Sequence, residues 1–76
     1  MNPADFKSAR LACGLSQADF AIALGYQSPN RKNLRQQVND MEAGRRGISP
    51  AVGRLAIMFE QHGVPKLFCT NLDISA

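Results

Sequence analysis

Two short segments with helical spacing of their apolar residues are separated by only three residues, Gly14, Leu15 and Ser16. Gly14 suits the left-handed residue that ends a helix, and Ser16 suits the N-cap of the next helix. Helices joined by so short a connection must turn sharply against each other, with Leu15 packed beneath the corner. The sequence therefore predicts a tight helix–helix corner within its first 25 residues.

Four helices are predicted from residues that begin and end helices. Each start combines an asparagine or serine that can cap the helix with a proline or glutamine as the first helical residue. A glycine follows each helix and suits its end. The expected helices are Pro3–Cys13, a second from Gln17 to the stop at Gly25, Pro29–Ala43 with Ser28 as its N-cap, and a fourth from Pro50 to the stop at Gly63.

The third predicted helix has two chemically different faces. Leu34, Val38 and Met41 share one narrow stripe that a core would bury. The opposite side carries Lys32, Arg35, Gln36 and Asn39. Such a face is either an ordinary solvated surface or a contact surface for a polar partner.

The chain has 76 residues, which corresponds to one small domain, and its 45% hydrophobic content is sufficient for a packed core. We therefore expect an all-α fold, a compact bundle of four to five short helices, with the main domain over residues 1–65. Residues 66–76 form either a fifth short helix or an extended arm. Their apolar side chains are candidates for a dimer contact, and these are Leu67, Phe68, Leu72 and Ile74.

Several function classes are disfavoured by the sequence. No apolar run approaches the roughly 18 residues of a membrane span, and Met1 to Ala12 lack the apolar stretch of a secretory signal, so a cytoplasmic protein is expected. Cys13, Cys69 and His62 form neither a metal-ligand cluster nor a catalytic constellation. We expect no enzyme activity, no cofactor, no metal site and no small-molecule ligand.

A pattern of residues extends from the corner to just beyond the third helix. It consists of Gly14-Leu15-Ser16-Gln17-Ala18-Asp19-Phe20-Ala21, Leu24-Gly25, Val38, Met41-Glu42, Gly44 and Arg45-Arg46. This pattern, within residues 6–64, resembles the phage-repressor, or Cro-like (XRE), helix-turn-helix family. The resemblance implies a lambda-repressor-like fold and a DNA-binding transcriptional regulator. In that family the second helix crosses the phosphate backbone and the third enters the major groove.

The resemblance also implies roles for single residues. Gln17 matches a position at the start of the second helix that touches a backbone phosphate. Arg10 and Glu42 match a pair that often forms a salt bridge between the first and third helices. A structural role fits this pair best, because breaking a largely buried pair costs about 3–5 kcal/mol.

The base-reading positions implied by the resemblance are Arg35, Gln36 and Asp40, with Gln37 and Asn39 nearby. Chemistry supports part of this set independently, because Arg can bind O6 and N7 of guanine while Gln or Asn can pair with adenine. Asp40 either accepts a hydrogen bond from a cytosine amino group or orients a neighbouring Gln or Arg.

The chain departs from the family's usual spacing between Gly25 and Val38, where it carries about two extra helical turns. The extra residues either enlarge the turn or extend the third helix backwards, and Ser28 followed by Pro29 favours the extension. An extended helix would add DNA contacts from its first turns, namely Asn30, Arg31, Lys32 and Asn33.

Positive charge is concentrated in one part of the chain. The net charge is +3, and residues 31–54 alone carry +4. Arg45 and Arg46, just after the third helix, are placed to hold phosphates, although a solvated loop is the alternative. The partner that this charge favours is double-stranded DNA.

Two functions follow from these features. The leading hypothesis is a sequence-specific repressor that binds a palindromic operator as a homodimer, with half-sites about 34 Å apart. The alternative is an antitoxin-like protein-interaction module that binds a partner protein through its apolar C-terminal surface. DNA binding should weaken steeply as salt rises, whereas an apolar protein interface should respond little.

Overall fold

A computed structural model describes residues 1–69 of the chain. These residues form four α-helices and a short 3-10 helix, and none of them lies in a β-strand. The elements are α1 (Pro3–Cys13), α2 (Gln17–Ala23), α3 (Arg31–Glu42), α4 (Pro50–His62) and the 3-10 helix (Lys66–Cys69). The predicted all-α class is therefore confirmed. In this part of the chain no helix combines the length and apolar character needed to cross a bilayer.

Three of the four helices begin with the predicted capping residue. The Asn2 side chain accepts a hydrogen bond from the Asp5 backbone N–H at 2.8 Å. Ser16 and Ser49 do the same for the third residue of α2 and of α4, each at 3.2 Å. Each cap satisfies a backbone donor that has no partner inside its own helix.

The predicted start of α3 at Pro29 is wrong. The helix begins at Arg31, because Asn30 adopts an extended conformation and its side chain accepts a hydrogen bond from the Lys32 backbone N–H at 2.9 Å. Ser28 instead accepts from the Asn30 backbone N–H at 3.2 Å and holds a turn before the helix. The extra residues therefore form an enlarged loop over residues 26–30. The end also differs by one residue, since α3 ends at Glu42 with Ala43 as its C-cap.

The core lies where the four α-helices meet. Phe20 of α2 contacts Phe6 of α1 edge to face, with ring centroids 5.3 Å apart, and Phe59 of α4 at 6.4 Å. The predicted stripe of α3, Leu34, Val38 and Met41, is buried in the same cluster. Together these side chains remove from water the apolar face of every α-helix, which is the main contribution to the stability of so small a domain.

The corner between α1 and α2 has the predicted form. Gly14 adopts a left-handed conformation with φ of 71°, which a side chain would disfavour, and its N–H donates to Leu11 O at 3.0 Å. Leu15 packs against the core beneath the corner. The Arg10 guanidinium donates to Leu15 O at 3.0 Å, so the connection is fixed by a side chain as well as by the backbone.

Beyond α4, the 3-10 helix packs against the helical core. The Phe68 ring contacts Phe59 edge to face at a centroid distance of 5.7 Å, so this candidate dimer residue belongs largely to the domain's own core. Leu67 is 68% exposed. Leu72 and Ile74, the other two candidates, lie outside the described residues. Phe68 therefore adds to the packing around α4.

Candidate nucleic-acid interface

An ion pair between Arg10 and Glu42 joins the start of the corner to the end of α3. Arg10 Nε donates to Glu42 Oε2 at 2.5 Å and Nη2 donates to Oε1 at 3.3 Å, a two-point contact. The side chains are only 12% and 6% exposed. Because Arg10 also donates to Leu15 O, its side chain links the corner between α1 and α2 to the end of α3.

The Gln17 amide, which was expected to contact a phosphate, forms hydrogen bonds within the protein. Its Nε2 atom donates to Glu42 Oε1 at 3.1 Å and to Asn39 Oδ1 at 3.3 Å, so both hydrogens are used inside the protein. Asn39 is correspondingly half-buried at the junction of α2 and α3 rather than on the outermost face. Gln17 and Asn39 therefore connect α2 to α3 through their side chains, and both hydrogens of the Gln17 amide are used in this connection.

The first turns of α3 form one wall of a surface groove, whose other wall is the start of α2. Arg31, Lys32 and Arg35 line it together with Arg10, Ser16, Gln17 and Ala18. Arg31 pairs with Asp19 of α2 at 3.0 Å, but the two side chains remain 63% and 48% exposed. Within residues 1–69, neither Lys32 nor Arg35 forms an ion pair. The groove is thus open and carries uncompensated positive charge.

Asp40 connects the middle of α3 to the basic loop that follows the helix. Its Oδ1 atom accepts from Gln36 Nε2 at 2.8 Å and from Arg45 Nε at 3.1 Å. Its backbone carbonyl accepts the N–H groups of Arg45 and Arg46 at 2.9 and 3.2 Å. The hydrogen bonds from Gln36 and Arg45, and the nearby guanidinium charges, hold the pKa of the Asp40 carboxyl below its usual range. In this structure, Asp40 therefore contacts one Gln and one Arg side chain, those of Gln36 and Arg45.

The two arginines after α3 are held differently. The Arg46 guanidinium lies 5.9 Å from the centroid of the Tyr26 ring, a cation–π contact with the enlarged loop. Arg45 is held by Asp40 and remains 60% exposed. Arg54, which contributes to the basic stretch of the sequence, lines a separate groove between α1 and α4 with Asp5 and Glu60. The positive surface therefore extends from Arg31 to Arg46 and does not include Arg54.

The remaining candidate residues fall into three groups. Asn33 and Gln36 are exposed on α3. Gln37 is half-buried. Asn30 is exposed, but its side-chain oxygen is used to cap the helix.

Two residues near the basic surface of α3 form contacts that were not predicted from the sequence. Asp19 was named only as part of the family pattern, and its partner Arg31 lies 12 residues further along the chain. Tyr26 is the only tyrosine in the chain and lies in the segment that departs from the family pattern, a signal that could have drawn attention to it. Both contacts depend on the conformation of the enlarged loop, which local sequence does not specify.

The thiols lie away from this surface. Cys13 packs against the core, and burial together with the Glu60 charge raises its pKa, which disfavours the reactive thiolate. Cys69 is exposed in the 3-10 helix. Among residues 1–69, no three His, Cys, Asp or Glu side chains are grouped so as to hold a metal ion.

No protein-family model, curated protein or solved structure matches the chain. The resemblance to the phage-repressor, or Cro-like, family therefore stays a prediction that rests on the residues of the corner and of α3.

Proposed function

We propose that the protein is a sequence-specific, DNA-binding transcriptional regulator of the helix-turn-helix type, with α3 as its recognition helix. The observation that carries the proposal is the distribution of charge on and after that helix. One face of α3 is buried, and the exposed side of the helix and its following loop carry Arg31, Lys32, Arg35, Arg45 and Arg46. A basic, helical surface of this kind is complementary to the phosphates that line the major groove.

The geometry around α3 supports a rigid presentation of this surface. The Arg10–Glu42 pair fixes one end of the helix, and Gln17 bonds to α3 through Asn39 and Glu42. Recognition depends on such rigidity, because a reading side chain must be placed within a fraction of an ångström of a base edge. Arg35 and Gln36 are exposed on the helix that these contacts hold. Both have side chains suited to base edges, guanine for Arg35 and adenine for Gln36.

The protein acts in this proposal as a cytoplasmic repressor that binds a palindromic operator as a homodimer. A single domain with one short recognition helix covers few base pairs, so a second copy supplies additional affinity and specificity. Two copies related by a twofold axis would place their α3 helices in successive major grooves, about 34 Å apart. No cofactor, metal or small molecule is part of the proposed activity.

Selection of bound duplexes from a random pool of DNA tests the proposal. We expect the full chain to enrich sequences with two inverted half-sites whose centres are about 10 base pairs apart. Enrichment should be lost as the salt concentration is raised, because binding releases counterions from the phosphates. A pool in which no sequence is enriched at any salt concentration would contradict the proposal.

A protein-interaction module is the second candidate, and exposed apolar side chains favour it. Ile57 and Met58 of α4 are 41% and 55% exposed, and Leu67 follows in the 3-10 helix. An apolar partner surface could cover them, as in the antitoxin-like alternative. Binding to such a partner should change little with salt, so the same salt series separates the two candidates.

A further inference from the structure

The contact between Gln36 and Asp40 constrains what Gln36 can recognise. The two residues are four positions apart in α3 and therefore neighbours on its surface. Gln36 Nε2 donates to Asp40 Oδ1 at 2.8 Å, while Arg45 donates to the same oxygen atom at 3.1 Å. The carboxylate is thus held by the arginine and in turn holds the amide.

The hydrogen bond to a carboxylate determines the orientation of the Gln36 amide. A carboxylate accepts hydrogen bonds and donates none, so only the NH2 group of Gln36 can face it. One hydrogen of that NH2 group is used, and the second hydrogen and the carbonyl oxygen remain available on an exposed side chain. Adenine presents the complementary pair in the major groove, an acceptor at N7 and a donor at N6.

We propose that Asp40 is a positioning residue that fixes the Gln36 amide for the recognition of adenine. The proposal deepens the proposed function and rests on it, because it names the base that one side chain reads and the residue that sets this preference. Asp40 touches no base in this arrangement. Its negative charge is compensated by Arg45, which allows a carboxylate to remain on a surface that approaches phosphates.

The immediate surroundings of Asp40 support a positioning role over a purely structural one. The carboxylate lies on the helix surface and contributes nothing to the apolar cluster around Leu34, Val38 and Met41. The hydrogen bond from Gln36 is also the largest cause that lowers the pKa of the Asp40 carboxyl, which shows how closely the two side chains are coupled. Loss of the carboxylate should therefore change which base is preferred more than it changes the fold.

Selection from a random duplex pool, repeated with variants of the full chain, tests the inference. Wild type should enrich adenine at one position of each half-site, and Gln36→Ala should lose the preference at that position only. Asp40→Asn can offer its own NH2 group to the Gln36 carbonyl and so allows both amide orientations. We expect it to reduce the adenine preference on the order of 10-fold while the rest of the site is unchanged.

Arg45→Ala and Arg46→Ala form a matched pair of controls, since each removes one positive charge from the same loop. Arg45→Ala frees the carboxylate and should weaken both the overall affinity and the adenine preference. The Arg46 guanidinium contacts the Tyr26 ring, and the Asp40 carboxylate accepts its hydrogen bonds from Gln36 and Arg45, so Arg46→Ala should weaken the affinity and leave most of the adenine preference intact. Circular dichroism at the temperature of the selection establishes that each variant is folded.

Three results would overturn the inference. If Asp40→Asn retains the full adenine preference, Asp40 does not position Gln36, although the protein still binds DNA specifically. If Gln36→Ala selects the wild-type site, Gln36 is not a reading residue and the inference fails while the proposed function stands. If wild type selects no sequence, the proposed function itself fails, and the inference fails with it.

Discussion

The Nε atom of Arg10 lies 2.5 Å from Oε2 of Glu42, although the two residues are 32 positions apart in the sequence. The same guanidinium donates to Leu15 O, and the same carboxylate accepts from Gln17. One ion pair therefore connects the corner between α1 and α2 to the last residue of α3. The orientation of the exposed, basic face of α3 depends on this connection.

Glu42→Ala is expected to destabilise the protein by about 3–5 kcal/mol, because it leaves the Arg10 charge largely buried and unpaired. A core of this size supplies only about 3–5 kcal/mol of net stability, so the variant should be mostly unfolded at 25 °C. Thermal and urea unfolding followed by circular dichroism measure the effect.

The exposed pair between Arg31 and Asp19 is the matched control for Glu42. Asp19→Asn should cost about 0–1 kcal/mol, since an ion pair in water is worth little and the amide oxygen still suits the first turn of α2. Replacement of both Arg10 and Glu42 by Met and Leu should restore much of the stability lost in Glu42→Ala. Equal losses for Glu42→Ala and Asp19→Asn would contradict a structural role for the buried pair.

Asn30→Ala should cost about 1 kcal/mol of unfolding free energy, because Asn30 is the N-cap of α3. Ser28→Ala removes only a turn contact outside the helix and should cost less. Urea unfolding of the two variants gives the comparison. A larger loss for Ser28→Ala would indicate that the helix begins at Pro29, as the proline pattern suggested.

Phe68→Ala should destabilise the domain by about 1–2 kcal/mol, less than for a fully buried phenylalanine. The ring packs edge to face on Phe59, which is only 3% exposed. Leu67→Ala, at a position that is 68% exposed, should have a smaller effect. The order of the two melting temperatures checks the placement of the 3-10 helix, and the reverse order would refute it.

Iodoacetamide at pH 8 should modify Cys69 faster than Cys13. Cys69 is exposed, whereas burial and the Glu60 charge raise the pKa of Cys13 and so reduce its thiolate fraction. Mass spectrometry of proteolytic fragments gives the two rates, and Cys69→Ser isolates the slower one. Comparable rates in the folded protein would show that Cys13 is not protected by the core.

Much of the fold follows from local sequence. The caps Asn2, Ser16 and Ser49 act on backbone groups three residues away, and the periodic stripe of α3 needs only the geometry of a helix. The predicted start of α3 was wrong because two overlapping sequence signals for a helix start competed. Ser28 with Pro29 suits a helix start, but Asn30 provides an equally good cap two residues later, and local sequence does not decide between them.

Side-chain contacts of the candidate site were predictable where both residues lie in one helix. Contacts between two helices were harder to predict. Asp40 and Gln36 are neighbours in α3, so an orienting contact could be anticipated from their spacing. The inward turn of Gln17 depends instead on Asn39 and Glu42, which are 22 and 25 residues away. Such contacts follow from how α2 and α3 pack, which periodicity alone does not specify.

The affinity of three proteins for one selected duplex tests the central claim most directly. Wild type, Arg35→Ala and Arg54→Ala are compared across a salt series by fluorescence anisotropy, and both variants lose one positive charge. Arg35 lies on the exposed face of α3, whereas Arg54 lies between α1 and α4. We expect Arg35→Ala to weaken binding on the order of 10-fold or more and Arg54→Ala to leave it within about 2-fold. Equal losses for the two variants, or no loss for Arg35→Ala, would contradict recognition through α3.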